Sequence, residues 1–234
     1  MTLISVAGSR IAYDFPDEQP ASDPSVGNSG LGVHFINTGG SSVGTSAFDT
    51  TTGVLLAAVG RGVLSDFSSA TVTDNASNTL AMSGTSHNYP SRWPNSGTAC
   101  FFKSNATGRA GCVVSASKPS PNDEVTVLAV NVLDATQIEA SSFIYDETGP
   151  TNVGTNITVT KASVLVSVWS GDDSNGELNP AASAGWTVLQ HTSSLASDHV
   201  QMAIAARAVS AGTYGITWTP STSQGGHVYL FGIN

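Results

Sequence analysis

Short runs of apolar and β-branched residues, separated by turn-forming residues, recur along almost the whole chain. The runs at 112–117 and 216–219 alternate apolar and polar positions, which is typical of a strand with one buried and one solvated face. The runs at 54–59, 125–130 and 164–169 are continuously apolar and predict central strands that are covered on both faces. No long stretch has the 3.6-residue period of an amphipathic helix. The pattern therefore predicts an all-β, antiparallel protein.

The predicted strands fall into two groups of seven or eight. In the first group they cover residues 33–37, 46–50, 54–59, 70–73, 79–82, 98–103, 112–117 and 125–132. In the second group they cover residues 142–145, 156–160, 164–169, 185–190, 199–208, 214–219 and 227–233. Each group has enough strands for a small β-sandwich of the jelly-roll or Greek-key kind. The strand pattern leaves open whether the groups form two sandwiches or merge into one.

The two groups repeat one another. Val43-Gly44-Thr45 returns as Val153-Gly154-Thr155, 110 positions later (153 − 43), and residues 54–56 fall on 164–166 at the same offset. Matches further along fall at offsets of 107 (Asn78 to Gly185), 104 (Gly108 to Gly212) and 103 (Val125 to Val228), as expected if the loops differ in length. The repetition predicts two tandem related units, residues 33–135 and 136–234.

Residues 1–32 do not take part in the repeat. The stretch 14–24 is acidic and contains three prolines, Pro16, Pro20 and Pro24. Proline removes a backbone donor and fixes φ, so such a stretch suits neither a helix nor a central strand. We predict an extended acidic, Pro-rich N-terminal arm over residues 1–32.

Composition narrows the class of protein. The chain has 8 Lys and Arg residues against 17 Asp and Glu, a net charge of −9, and only 11% of its residues are charged. The scarcity of cations argues against binding to nucleic acid or to an anionic membrane surface. We find neither an apolar run long enough to span a membrane nor a signal peptide, which predicts synthesis in a host cytoplasm. A surface rich in Ser, Thr and Gly suits an exposed protein, and a virion protein reconciles the two expectations.

Cys100 and Cys112 lie on either side of a Gly-containing turn centred near Ala106. In a hairpin about that centre they would face each other, which would permit a disulfide. A reducing compartment favours two free, buried thiols instead. Both alternatives stay open at this point.

The segment 85–97 has the side chains best suited to binding. It places His87, Tyr89, Arg92 and Trp93 among amides and prolines. Aromatic faces beside amide and guanidinium donors suit a sugar, which has apolar C–H faces and many hydroxyl groups. Binding residues also tend to lie on exposed loops of rigid scaffolds. The alternative is that the aromatic residues cover one end of the sandwich or pack against another subunit.

Other chemistry-bearing sequences are interpreted as turns. Residues 40–44 match a G-x-S-x-G pattern, but a strand follows where a nucleophile elbow requires a helix. Residues 171–177 resemble the start of a calcium loop, but the glycine is at the wrong position and no bidentate glutamate follows at the right distance. We therefore predict no catalytic residues, no metal site, no cofactor and no enzyme activity.

The order of these features resembles a known class of module. An apolar strand at 54–59 is followed by Thr-Val-Thr-Asp-Asn-Ala-Ser-Asn-Thr at 71–79, then by a strand–Gly–strand hairpin from Phe101 to Val114 and by a closing strand. This arrangement is similar to the jelly-roll-type surface modules of head-decoration, head-fibre and tail-adhesion proteins of tailed phages.

The resemblance implies a non-enzymatic structural protein on the virion surface, a decoration or fibre component. Such a protein would assemble with itself, for example as a trimer, and with other virion proteins such as the major capsid protein. The alternative function is a carbohydrate-binding adhesin that uses the 85–97 segment to bind a host surface glycan.

Overall fold

The computed structural model describes residues 22–147, 149–173, 180–192 and 199–234. Most of the predicted arm, residues 1–21, and part of the 171–177 turn lie outside the described residues. Nineteen strands make up the described secondary structure: β1 (Ser25–His34), β2 (Ser42–Gly44), β3 (Gly53–Arg61), β4 (Val72–Asp74), β5 (Thr79–Met82), β6 (His87–Tyr89), β7 (Trp93–Ala106), β8 (Val114–Ser117), β9 (Val125–Leu133), β10 (Ile138–Asp146), β11 (Asn152–Val153), β12 (Ile157–Val159), β13 (Ser163–Gly171), β14 (Ala181–Ala182), β15 (Thr187–His191), β16 (Met202–Val209), β17 (Gly212–Tyr214), β18 (Thr217–Thr219) and β19 (Gly226–Ile233). The prediction of an all-β, antiparallel protein is confirmed.

The strands of the first half, residues 22–135, form a nearly closed barrel of eight strands. Their order is β1-β9-β3-β7-β5-β4-β8-β2, and β6 adds to β7. The two ends of this order approach each other, since the amide of Ser46 donates to the carbonyl of Leu31 at 2.9 Å. The approach requires Gly32, because a Cβ there would lie 2.1 Å from the carbonyl oxygen of Gly44. Apolar side chains fill the interior, among them Val43, Phe48, Leu55, Phe67, Leu80, Phe101, Cys112 and Val114.

The strands of the second half, residues 136–234, have the same neighbours in the same order, but the sheet is broken. Five strands run β10-β19-β13-β16-β15, a small sheet runs β14-β18-β11, and β12 pairs with β17. Val54 pairs with Val132 and Val164 pairs with Ile233. The bounds of β3 (53–61) and β13 (163–171) both differ by 110, the offset that the sequence predicts. The offset from β9 to β19 is 101 (233 − 132) rather than 103, which leaves the same face of the strand inward.

The large sheets of the two halves pack face to face. Their shared core contains Leu56, Leu128 and Val130 of the first half and Val166, Ile204 and Phe231 of the second. The other face of β3, which carries Leu55, packs inside the first half. The other face of β13, which carries Leu165, packs inside the second half. Both faces of these strands are thus buried, which confirms the interpretation of the continuously apolar runs. Burial of each such side chain stabilises the fold by about 1.5–3 kcal/mol.

Some predicted boundaries are wrong. The arm does not extend to Gly32, because β1 already pairs with β9 from Ser25 onward. Gly27, Gly30 and Gly32 have low strand propensity, but β1 lies so close to its neighbours that a Cβ at Gly30 would come 2.6 Å from the ring of Phe48. Tertiary packing therefore favours a strand that propensity does not. Residues 46–50 form only an isolated bridge, from Phe48 to Cys112.

The antiparallel registers give the molecule two distinct ends. At one end Ser25 pairs with Leu133, and the amide and carbonyl of Asn234 bond Gln137. We call this the arm end, since the arm enters β1 here. The opposite end, which we call the loop end, is made by residues 35–41, 62–66, 87–97, 118–124 and 170–173. The two halves point the same way, because Tyr89 at the loop end of the first half contacts Ser170 of the second.

Candidate functional site

The predicted binding segment lies at the loop end and is a hairpin rather than a free loop. β6 pairs with the start of β7 through His87–Thr98, Asn88–Gly97 and Tyr89–Trp93. The hairpin leans from the first half onto the second, so its side chains meet β10, β13 and β19. This contact decides which of the four predicted residues remain accessible.

Tyr89 anchors the hairpin in the interior. It is 2% exposed, and its hydroxyl donates to the Ser170 hydroxyl at 2.8 Å. Its ring stacks on the imidazole of His227 with 3.9 Å between centroids. Burial raises the pKa of Tyr89 well above its usual value. The side chain therefore holds the two halves together and leaves no surface for a ligand.

His87 is half-buried beside Tyr89. Its imidazole stacks on the ring of Phe143 with 3.4 Å between centroids. Burial lowers the pKa of His87, which favours the neutral ring. This residue also packs across the contact between the halves.

A polar network that the sequence did not reveal lies beneath the hairpin. The Nε2 of His227 faces the carbonyl of Asn88 at 3.1 Å, and because a carbonyl only accepts, Nε2 carries the proton. The hydroxyl of Thr98 lies 2.7 Å from Nδ1 of His227 and 2.8 Å from the hydroxyl of Tyr229. Burial lowers the pKa of His227 to about 3. The network thus holds a neutral histidine between the halves. No local sequence motif predicts this network.

Arg92 and Trp93 remain accessible at the tip of the hairpin. The guanidinium of Arg92 donates to the Asp173 carboxylate at 3.1 Å and lies 3.8 Å from that of Asp172. The Trp93 indole donates through Nε1 to the carbonyl of Asp172 at 2.7 Å, yet 43% of the residue is exposed. An indole face held in one orientation beside a cation is a surface that can contact a sugar or a protein partner.

Asp172 fixes the position of this tip. It is 5% exposed, and its carboxylate accepts hydrogen bonds from the hydroxyl of Tyr145 at 2.8 Å and from the amide of Gly225 at 2.9 Å. Burial and the adjacent carboxylate raise the pKa of Tyr145. The acidic residues here serve the hairpin, and the described part of the chain contains no cluster of three His, Cys, Asp or Glu side chains that could hold a metal.

Further apolar side chains are exposed at the loop end. Ile36, Val63 and Leu64 are 37%, 51% and 46% exposed. Their loops are held by backbone hydrogen bonds from Asn37 to Asn122 and from Gly62 to Glu124, both 3.0 Å. Leu64 has a φ of 65°, which is uncommon and costly for a bulky residue. Together with Trp93 these residues give the loop end an ordered apolar surface.

Buried charges support these loops from below. Arg61 is 2% exposed, donates to the carbonyls of Asp66 at 3.3 Å and Ser117 at 3.0 Å, and lies over the ring of Phe67. Asp123 is 1% exposed. Burial raises the pKa of Asp123 to about 6, against the opposing influence of the Arg61 and Lys118 charges.

The cysteines belong to different cores. Cys100 lies in the core between the halves, whereas Cys112 lies inside the first half. Both are free and buried. The expected hairpin does not bring them together, because β7 pairs with β3, β5 and β6 while β8 pairs with β2 and β4. Of the two alternatives, the structure has the free thiols, and burial raises the pKa of both.

The 71–79 segment, on which the resemblance to phage surface modules is based, forms a turn that its own side chains stabilise. The carboxylate of Asp74 accepts hydrogen bonds from the amides of Ala76 at 2.9 Å and Asn78 at 2.8 Å, and from the Asn78 side chain at 2.6 Å. The Asn78 side-chain oxygen accepts from the amide of Thr107 at 2.9 Å. These side chains hydrogen-bond their own turn, so the motif serves the fold.

Comparison of this chain with protein-family models, with curated proteins and with solved structures gave no match. Among the residues that the structure describes, no helix has the length and apolarity needed to cross a membrane.

Proposed function

We propose that this protein is a non-enzymatic structural component of a tailed-phage virion surface, a decoration or fibre protein that works by assembly. The observation that carries the proposal is the division of the molecule into two ends. An acidic arm enters at one end, and an ordered apolar surface of Ile36, Val63, Leu64 and Trp93 lies at the other. Such a body can attach through one end and present the other.

We further infer that the two halves are tandem jelly-roll-type repeats of one ancestral unit. The shared strand order and the constant 110-residue offset from β3 to β13 support this inference. Their face-to-face packing buries an extensive core and makes a rigid spacer. In the proposed role the arm contacts a neighbouring copy, as in a trimer, or the major capsid protein.

Labelling of particles tests the proposed location. Antibodies against the purified protein are expected to decorate intact virions of the phage that encodes it, as seen by negative-stain electron microscopy. A matched control uses particles from which the gene has been deleted. Unlabelled wild-type particles, together with the absence of the chain from their protein content, would overturn the proposal.

The second candidate function is a carbohydrate-binding adhesin. The specific observation in its favour is the accessible, oriented indole of Trp93 beside Arg92. On this reading the variant Trp93→Ala loses binding on a glycan array, while Val153→Ala, another exposed apolar residue, retains it. Loss of glycan binding with unchanged assembly favours the adhesin, and the absence of glycan binding in the wild type removes it.

A further inference from the structure

A groove at the arm end lies apart from the loop-end surface. It has a volume of about 420 Å³ and lies where β1 of the first half crosses β15 and β16 of the second. Its lining is mostly aliphatic, with one cation: Val26, Gly185, Thr187, Leu189, Ala206, Arg207 and Ala208. This size lies within the range of typical binding grooves.

Arg207, which lines the groove, differs from Arg61 and Arg92 in the partners of its guanidinium. Arg61 and Arg92 both donate to oxygen acceptors. Arg207 has neither a hydrogen bond nor an ion pair with any of the described residues, and its guanidinium lies over the ring of Tyr214 at 5.5 Å. It also lies along the backbone of Gly185, where a Cβ would come 3.3 Å from Cζ of Arg207. The guanidinium is thus placed at the groove with no anionic partner among the residues that the structure describes.

The arm contains anions of matching chemistry a few residues before the groove-lining Val26 in the sequence. Residues 14–18 read Asp-Phe-Pro-Asp-Glu, which combines three carboxylates with one aromatic ring. The described chain begins at Ser22, and Val26, only four positions later (26 − 22), lines the groove. Eight peptide units join residue 14 to residue 22 and can span up to ~28 Å. The acidic segment can therefore reach back to the groove.

We propose that the segment 14–18 of the chain's own arm docks in this groove. A carboxylate of Asp14, Asp17 or Glu18 pairs with Arg207, and Phe15 packs on the aliphatic lining. Tethering favours the chain's own segment over that of a second copy, since a short linker gives an effective concentration in the millimolar range. The docking itself does not depend on the virion role.

Disulfide trapping in the full chain tests the docking. The double variant Pro16→Cys/Thr187→Cys keeps Phe15 and the carboxylates and places one thiol in the segment and one at the groove, while the native thiols of Cys100 and Cys112 stay buried. On mild oxidation we expect a cross-link within one chain, identified by peptide mass spectrometry. The matched control Ser5→Cys/Thr187→Cys is expected to cross-link at least several-fold more slowly.

Charge reversal completes the test. Adding Arg207→Glu to the trapped pair is expected to slow cross-linking about tenfold, the loss expected for one charge-assisted hydrogen bond. Adding Asp14→Lys, Asp17→Lys and Glu18→Lys should restore it. Cross-linking no faster than in the Ser5→Cys control overturns the proposal. Cross-links only between two chains also overturn it, and assign the groove to the arm of a second copy.

Discussion

The two halves share a strand order but differ in how their sheets close. In the first half β4 pairs with β5 through Val72 and Leu80, which links the small sheet to the large one. In the second half the described β14 and β15 do not pair, and the sheet stays open. In the first half Val72, which pairs with β8, and Ala81, which pairs with β7, lie nine residues apart (81 − 72). In the second half the equivalent positions are Ser183, which bonds to β18, and Thr187, which pairs with β16, and they lie only four residues apart (187 − 183).

This difference shows how a shared scaffold acquires separate sites. The shortened turn removes the residues that would form the β4–β5 pair, and the groove beside Gly185 and Thr187 lies at that break. The first half keeps its sheet closed, and its β5–β7 connection contains β6, which pairs with the start of β7. Residues 193–198 of the matching connection in the second half lie outside the described residues. The strand pattern is thus common to the halves, while the connections between strands determine their surfaces.

The largest effect is expected where the halves meet. Leu128 is fully buried between the two large sheets, so Leu128→Ala should lower the free energy of unfolding by about 2–5 kcal/mol. Because the core is shared, unfolding in urea should remain a single transition. The control Val153→Ala at an exposed position should change the free energy by less than about 0.5 kcal/mol. Two separate transitions would show that the halves are independent.

The neutral His227 should make the contact between the halves sensitive to acid. Its folded pKa of about 3 lies below the ordinary value of 6.5, so the unfolded chain binds the proton more readily. The stabilisation is complete above pH 6.5 and is lost as the pH falls toward 3, about 2 kcal/mol of it by pH 5. Urea unfolding at pH 7 and pH 5 measures the loss, and His227→Gln should reduce it by that amount. An equal pH dependence in both proteins would contradict the assigned burial of the neutral ring.

The buried Asp123 should act in the opposite direction at the loop end. Its folded pKa of about 6 lies above the ordinary value of 3.8, so the folded chain binds the proton more readily. The protonated carboxyl group therefore contributes to the free energy of unfolding below about pH 4, and this contribution is lost as the pH rises through 6. We expect a loss of about 2 kcal/mol between pH 4 and pH 7, since the pKa of about 6 already includes the opposing charges of Arg61 and Lys118. Asp123→Asn should remove this slope between pH 4 and pH 7, and an unchanged slope would refute the assignment.

The sequence predicts the strands much better than it predicts the site. Continuous apolar runs identified β3, β9, β13 and β19 because burial on both faces determines their composition. β1 was missed in part, since its glycines are selected by close packing rather than by strand propensity. Similarly, the sequence around Tyr89 resembles that around Trp93, so it does not predict which of the two is buried. The packing of the hairpin against Ser170 and Asp172 buries Tyr89 and leaves Trp93 exposed. The Thr98–His227 pair joins positions 129 residues apart, so no local pattern could reveal it.

The smallest effect is expected at the exposed tip of the hairpin and separates it from its buried base. Removal of the hydroxyl in Tyr89→Phe leaves the buried Ser170 with one partner fewer and should cost about 1 kcal/mol. Arg92 pairs with Asp173 at 3.1 Å, but 44% of its side chain is exposed, so Arg92→Ala should cost only about 0–1 kcal/mol, decreasing with added salt. Urea unfolding at low and high salt distinguishes the two variants. A larger loss for Arg92→Ala than for Tyr89→Phe would mean that the tip, and not the buried tyrosine, holds the hairpin against the second half.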